Sequence, residues 1–269
     1  MQCEITAIYS YPVKSCRGSS VNQAQLSAFG INGDRQLMVL HNGQHINQVK
    51  LPALARVNPL RISDNEIELR ADGHSAFKHR ITLSGETIKT DLYGSNFKGI
   101  HQGEALAEWI SGVVDSPIEL VALEENFTRV IPMPQLVGLD GIKQSGFVDT
   151  APILLVNEAS LADLNHRLVT PIPMERFRPN IVVRGLDAWV EDDVSQYASS
   201  QLKLIRQAHC ERCAATCTDQ ETGERYGEPL RTLRTFRKTE DGYSSGLMFG
   251  AYMTVNGEGT IAVGDVLTI

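Results

Sequence analysis

The 269-residue chain has no run of about 18 apolar residues, so the sequence gives no helix able to span a bilayer. Its opening residues, Met1-Gln2-Cys3-Glu4, lack the basic and apolar regions of a secretory signal. It is short of positive charge, with 25 Lys and Arg against 32 Asp and Glu and a net charge of -7. That balance argues against nucleic acid or an anionic membrane as the main partner, while leaving room for a local basic pocket. Cysteines number five, an odd count without the spacing of a small disulfide framework. A cytoplasmic protein with reduced thiols is the expectation. Internal repeats and low-complexity tracts are also missing.

What is present is a concentration of thiols. Cys210, Cys213 and Cys217 fall within eight residues. An apolar strand, Leu202 to Ile205, leads in, and a polar turn, Thr218 to Gly223, leads out. Such density points to metal ligation, redox exchange or nucleophilic attack. Zinc would find half a tetrahedral site in Cys210-x-x-Cys213, but no second pair follows, so a zinc-stabilised binding module is weakly supported. An iron–sulfur cluster needs four thiolates in the common case. A thioredoxin-like dithiol needs its pair at a helix N-terminus, whereas a strand precedes this one. A single thiolate held near cations, suited to a cofactor that brings its own metal, also remains.

The rest of the chain reads as mainly β. Cys3, Ile5, Ala7, Tyr9 and Tyr11 alternate with polar neighbours, predicting a half-buried strand ended by Pro12. Val13 to Gly18 is a loop carrying Lys14 and Arg17; it can hold an anion or simply be solvated. Asn32-Gly33-Asp34-Arg35 predicts a turn before a strand over 37–40, and Asn42-Gly43 a hairpin. Strands are expected over 56–62, 66–70, 79–83 and 86–91. Ala105, Leu106, Trp109, Ile110 and Val113 have helical spacing. Residues 118–122 and 153–156 predict strands, and Asn157 caps a helix carrying Leu161, Leu164 and Leu168. Residues 123–146 read as a long irregular loop. Arg176 and Arg178 beside Pro179 form an anion site or a pair of surface cations. Leu230 to Arg237 predicts a short helix with Arg231, Arg234 and Arg237 on one face, either solvated or receiving an acidic protein. Residues 249–255 and 260–269 predict a closing hairpin.

Taken in order, nine pieces resemble the MOSC superfamily. They are Tyr11-Pro12-Val13-Lys14-Ser15, Asp34-Arg35, Asp149-Thr150-Ala151-Pro152, Glu158 to Asn165, Arg176 to Asn180, Cys210-x-x-Cys213, Glu228-Pro229-Leu230-x-Thr232-Leu233, Phe249-Gly250-x-Tyr252 and Gly264-Asp265. The branch resembled carries an N-terminal β-barrel region and includes the mitochondrial amidoxime-reducing component and bacterial relatives that detoxify N-hydroxylated bases. The implied fold is mainly β (α+β): a MOSC β-barrel with flanking helices over residues 101–269, and a β-rich N-terminal region over 1–100. The cofactor cleft is expected between them.

The resemblance implies a molybdenum cofactor, a pterin dithiolene with a terminal phosphate. Cys213 is then the protein's metal ligand, a soft thiolate on a metal already bound by sulfur, and Cys210 is structural. Lys14, Ser15, Arg35, Thr150, Arg178, Asn180, Arg212 and Tyr252 match the positions that hold the pterin and phosphate. Asp149 orients donors or handles protons. The implied activity is reduction of hydroxylamines, amidoximes and N-hydroxylated bases to amines. The rival from the same superfamily is a cofactor or sulfur carrier with a persulfide on Cys213. Bacterial relatives often carry a C-terminal ferredoxin domain that has no counterpart here. Electrons are therefore expected from a separate ferredoxin, flavodoxin or reductase, or from a ferredoxin domain of a longer protein. The Arg231, Arg234, Arg237 face is the expected docking surface, the loop 123–146 the expected border of the substrate mouth, and Glu211 an added negative charge near the metal.

Overall fold

The computed structural model describes residues 1–131, 138–139, 141–144, 146–239 and 246–269. Its centre is a closed barrel of seven strands: Gln2–Ser10, Ile181–Arg184, Ile153–Asn157, Met248–Gly257, Leu202–Glu211, Gln196–Ala198 and Val266–Thr268, each paired with the next and the last with the first. All neighbours are antiparallel except Ile153–Asn157 and Ile181–Arg184, which run parallel across the helix Glu158–Arg167. Asn157 caps that helix as expected, its side chain accepting a hydrogen bond from the Ala159 amide at 3.2 Å.

Alternation fills the barrel. Ile5, Ile8, Ile153, Leu155, Ile181, Val183, Leu204, Ala251 and Met253 point inward and are buried. Leu154, Val156 and Val182 point outward and are equally buried, against Phe177, Phe249 and Leu164. The run Ile153–Asn157 is thus apolar throughout because a helix covers its outer face. In the first strand the expected face holds only for Cys3 and Ile5. A bulge between Ile5 and Ala7 shifts the phase, so Ile8 faces in while Ala7 and Tyr9 pack outside.

The first hundred residues are β-rich, as expected, but their strands do not stay together. Gln2–Ser10 closes the barrel, whereas Leu37–His41 pairs with Glu119–Leu123 in a five-stranded sheet. The helix Glu104–Val114 packs its apolar face into the core of that sheet, with Leu106, Ile110 and Val113 against Val39, Leu54 and Leu69. Asn42 and Gly43 both have positive φ (52° and 72°), forming the two-residue turn read from their sequence.

Some expectations are corrected. The strand placed over 79–83 lies at His74–Arg80, because the turn at Asp72-Gly73 brings His74 opposite Ala71 and starts the pairing early. Residues 52–56 form a 3-10 helix before the strand Asn58–Ser63. The closing hairpin does not form: Gly259–Ala262 pairs with Gln23–Ser27, and Val266–Thr268 pairs with the first strand. Met248–Gly257 instead pairs antiparallel with Leu202–Glu211 on one side and Ile153–Asn157 on the other. Residues 132–137, 140 and 145 of the irregular segment lie outside the described residues.

Candidate active site

One cleft gathers all ten residues singled out from the sequence: Lys14, Ser15, Arg35, Asp149, Thr150, Arg178, Asn180, Arg212, Cys213 and Tyr252. They come from six stretches of chain, and the reason they meet is the way each stretch ends.

The cysteine strand runs further than its apolar part, to Glu211. Near its end Cys210 alone stands opposite Phe249 and Gly250, a bulge that uses the positive φ of Gly250 (83°). A Cβ on Gly250 would lie 2.7 Å from Val156 Cγ1, so only glycine fits. The bulge turns Cys210 into the core, 1 % exposed, and leaves Cys213 as the exposed member of the five free cysteines. Burial pushes the Cys210 thiol above its ordinary pKa. Its sulfur receives a hydrogen bond from Arg212 at 2.6 Å, while the other end of that guanidinium donates to the Phe177 carbonyl at 2.6 Å.

Opposite stand Arg35 and Arg178. They flank the ring of buried Tyr11 at 4.3 and 4.5 Å from its centroid. The Tyr11 hydroxyl donates to the Pro179 carbonyl at 2.9 Å, tying the first strand's end to the Arg176–Asn180 block. Arg178 donates to the Cys16 carbonyl at 2.5 Å. Arg35 pairs with Asp34 and donates to Asn180 Oδ1 at 3.1 Å. Asn180, 1 % exposed, has every polar group engaged: Oδ1 also accepts from the Leu154 amide at 3.2 Å, and Nδ2 donates to the Tyr9 carbonyl at 3.3 Å and to Asp34 Oδ2 at 3.2 Å.

Lys14 is buried, donating to the Phe147 carbonyl at 2.8 Å and to the Asp149 carboxylate. Burial depresses the Lys14 ammonium, against the pull of Asp149. Burial would likewise raise the Asp149 carboxyl, but the Lys14 charge and hydrogen bond, with His45 and Tyr93, outweigh it and hold the group at about 2. The Asp149 side chain is still 57 % exposed, since it faces the open cleft. Behind it Arg129, lowered to about 10 by burial, donates to the Gly146 carbonyl at 3.0 Å and to that of Val148.

Ser15, Arg35, Tyr93 and Arg178 supply four of the eight non-glycine residues with positive φ among the described residues. Backbone strain of this kind clusters where side chains must be aimed. Four cations, Lys14, Arg35, Arg178 and Arg212, face two carboxylates, Asp149 and Glu211, across the cleft. A chain of net charge -7 thus holds a basic pocket. No cluster of three or more His, Cys, Asp or Glu suited to a metal occurs among the described residues. Cys213 is the exposed soft donor of the cleft. The buried Nε of Arg212 has no partner, and with the basic lining it fits a phosphate-bearing cofactor.

Sequence reasoning missed Asn47, Gln48, Tyr93 and Phe177, which also line the cleft. Gln48 and Gln220 exchange amide hydrogen bonds at 3.1 and 3.2 Å, fastening the first region to the segment after the cysteines. Tyr93 could have been read from Tyr93-Gly94 between two alternating strands. Two other expectations change. None of the described residues of 123–146 lines the cleft; Arg129 instead buttresses the segment beneath Asp149. Arg237 leaves the basic face, because it pairs with Asp192 and lies over Trp189 at 4.3 Å, while Arg231 and Arg234 stay exposed.

Comparison with known proteins gives two family matches: the MOSC domain over residues 143–268 and the MOSC N-terminal beta barrel domain over 2–117. Mitochondrial amidoxime-reducing component 1 of Homo sapiens is 34% identical, over 97% of this chain and 81% of its own. Mitochondrial amidoxime reducing component 2 of Bos taurus is 30% identical, over 97% and 81%.

Proposed function

The chain belongs to the MOSC family, and from that premise we propose that it is a molybdenum-dependent reductase converting N-hydroxylated compounds to amines. The observation that carries this reading is one exposed thiol, Cys213, in a basic cleft lined by Lys14, Arg35, Arg178 and Arg212. Cys213 would ligate the metal. Arg35, Arg178 and Arg212 suit the cofactor's phosphate, and Ser15, Thr150, Asn180 and Tyr252 its pterin edge. Both the region around 1–100 and the region around 101–269 are needed, since each contributes residues to the cleft.

When bound, the cofactor supplies the two-electron centre that removes oxygen from nitrogen. The net reaction takes one N-hydroxylated substrate, two electrons and two protons to one amine and one water. Asp149, held ionised with its carboxyl at about 2, is suited to orienting a donor at neutral pH and is a poor proton acceptor there. Lys14 fixes it there. Electrons come from a separate carrier protein or from a ferredoxin domain of a longer protein, and the free state of all five thiols suits a reducing, cytoplasmic setting.

The test is metal and pterin content after expression in a cofactor-competent host, beside Cys213→Ser. Near-equimolar molybdenum in the parent and little in the variant is expected, with turnover of an amidoxime by reduced dye in the parent alone. No molybdenum in either, where a known relative loads, sinks the proposal. A persulfide on Cys213 in the same sample would favour a sulfur carrier.

A further inference from the structure

Tyr93 occupies a position that its chemistry does not favour. The strands Thr87–Leu92 and Ser95–His101 are joined by Tyr93-Gly94, with φ of 52° and 85°. A two-residue turn with both φ positive prefers Asn-Gly, which the same sheet uses at Asn42-Gly43. A bulky residue there is strained. Core packing does not compensate for the strain, since Tyr93 remains 50% exposed. The ring sits 5.8 Å from the Lys14 ammonium and edge-on to His45 at 5.9 Å. The Asp149 and Asn47 side chains lie beside the phenol. The strained turn thus holds one large, rigid side chain at the rim of the cleft that contains Cys213.

We propose that the Tyr93 ring sets the size of the molecule that can reach Cys213, making Tyr93 a specificity-determining residue contributed by the first region. The inference rests on the reading that substrates approach the metal through this cleft. The ring, fixed by Lys14, His45 and the phenol's partners, narrows the entrance by sterics. The hydroxyl serves to hold the ring in place. Removing the ring therefore favours bulky substrates over small ones, and removing only the hydroxyl changes this preference little.

The test uses Tyr93→Asn and Tyr93→Phe. The first installs the Asn-Gly pair preferred by the turn, so Tm is expected to stay equal or rise; the second keeps the ring. In the metal-free protein Cys213 is the exposed thiol, and its alkylation by iodoacetamide and by a fluorescein maleimide is timed. Tyr93→Asn should raise the ratio of bulky to small rate constants about tenfold, a steric effect of the size seen for pocket fit. Tyr93→Phe should leave the ratio within about twofold of the parent. In the loaded enzyme, kcat/KM for a bulky aryl amidoxime relative to hydroxylamine should rise by a similar factor in Tyr93→Asn. An unchanged alkylation ratio in a folded Tyr93→Asn protein overturns the proposal. A loaded parent without turnover would instead overturn the reductase reading, and the alkylation ratio would still judge the gate.

Discussion

The barrel wall and the rim of the cleft are built on opposite terms. On the wall, Asn180 is 1 % exposed and every polar group of its side chain has a fixed partner, while Arg35 is tied to Asp34 and Arg178 to the Cys16 carbonyl. On the rim, Tyr93 is 50% exposed and Asp149 meets solvent, with a strained turn as the main restraint. A wall of satisfied buried donors is preorganised and costly to change. A rim of exposed side chains accepts substitution cheaply. This suits a site in which one face holds a constant cofactor and the other meets variable substrates.

Asn180→Leu should break the wall most severely. It orphans the Leu154 amide and removes partners from Arg35 and Asp34. With a cost of about 1–3 kcal/mol for each stranded buried group, stability should fall by roughly 3 kcal/mol or more. Urea unfolding of the metal-free protein reads this loss; a change below about 1 kcal/mol would show that the wall can relax like the rim.

Lys14 lies where wall meets rim, and Lys14→Met separates the two. The ammonium is buried at a cost, but its removal strands the Phe147 carbonyl, so stability should fall by about 1–3 kcal/mol. The Asp149 carboxyl should also climb from about 2 toward the ordinary carboxylate range. A carbon-detected NMR titration of the Asp149 carboxyl follows the shift. A value that stays near 2 would assign its depression to His45 and Tyr93 instead.

The smallest effect belongs to the rim alone. Burial, aided by the Lys14 charge, lowers His45 to about 4. The unfolded chain binds a proton at this histidine near pH 6.5, the native protein only near 4. Its contribution is thus present above about pH 6.5 and is lost as pH falls toward 4. Unfolding midpoints at pH 7 and pH 5 should separate in the parent and draw together in His45→Gln. Equal separation in both would place the acid sensitivity elsewhere.

Local features were legible because each fits in a short window. Asn157 announced a helix start, Asn42-Gly43 a turn, and the run 153–156 a buried strand. The ten candidate residues were drawn from a family resemblance, and one cleft gathers them. Tyr93 was missed although Gly94 marks its turn, because nothing local says that a turn tyrosine faces a distant cleft, and Arg129 was missed because its segment lacks periodicity. The phase shift in the first strand escaped for a related reason: a bulge at Ile5–Ala7 answers to its partner strand and not to its own alternation.

By itself the sequence determined the mainly β character, the apolar faces and the crowding of three thiols into eight residues, since these follow from residue type and spacing. Tertiary structure alone decided which strands pair. The first strand closes a barrel with Ile181–Arg184, the last strands forgo their hairpin, and Cys210 turns inward opposite Gly250. The physical reason is distance along the chain. The Tyr11–Pro179 bond joins residues 168 apart, and the energy of such a contact belongs to both partners and is written in neither.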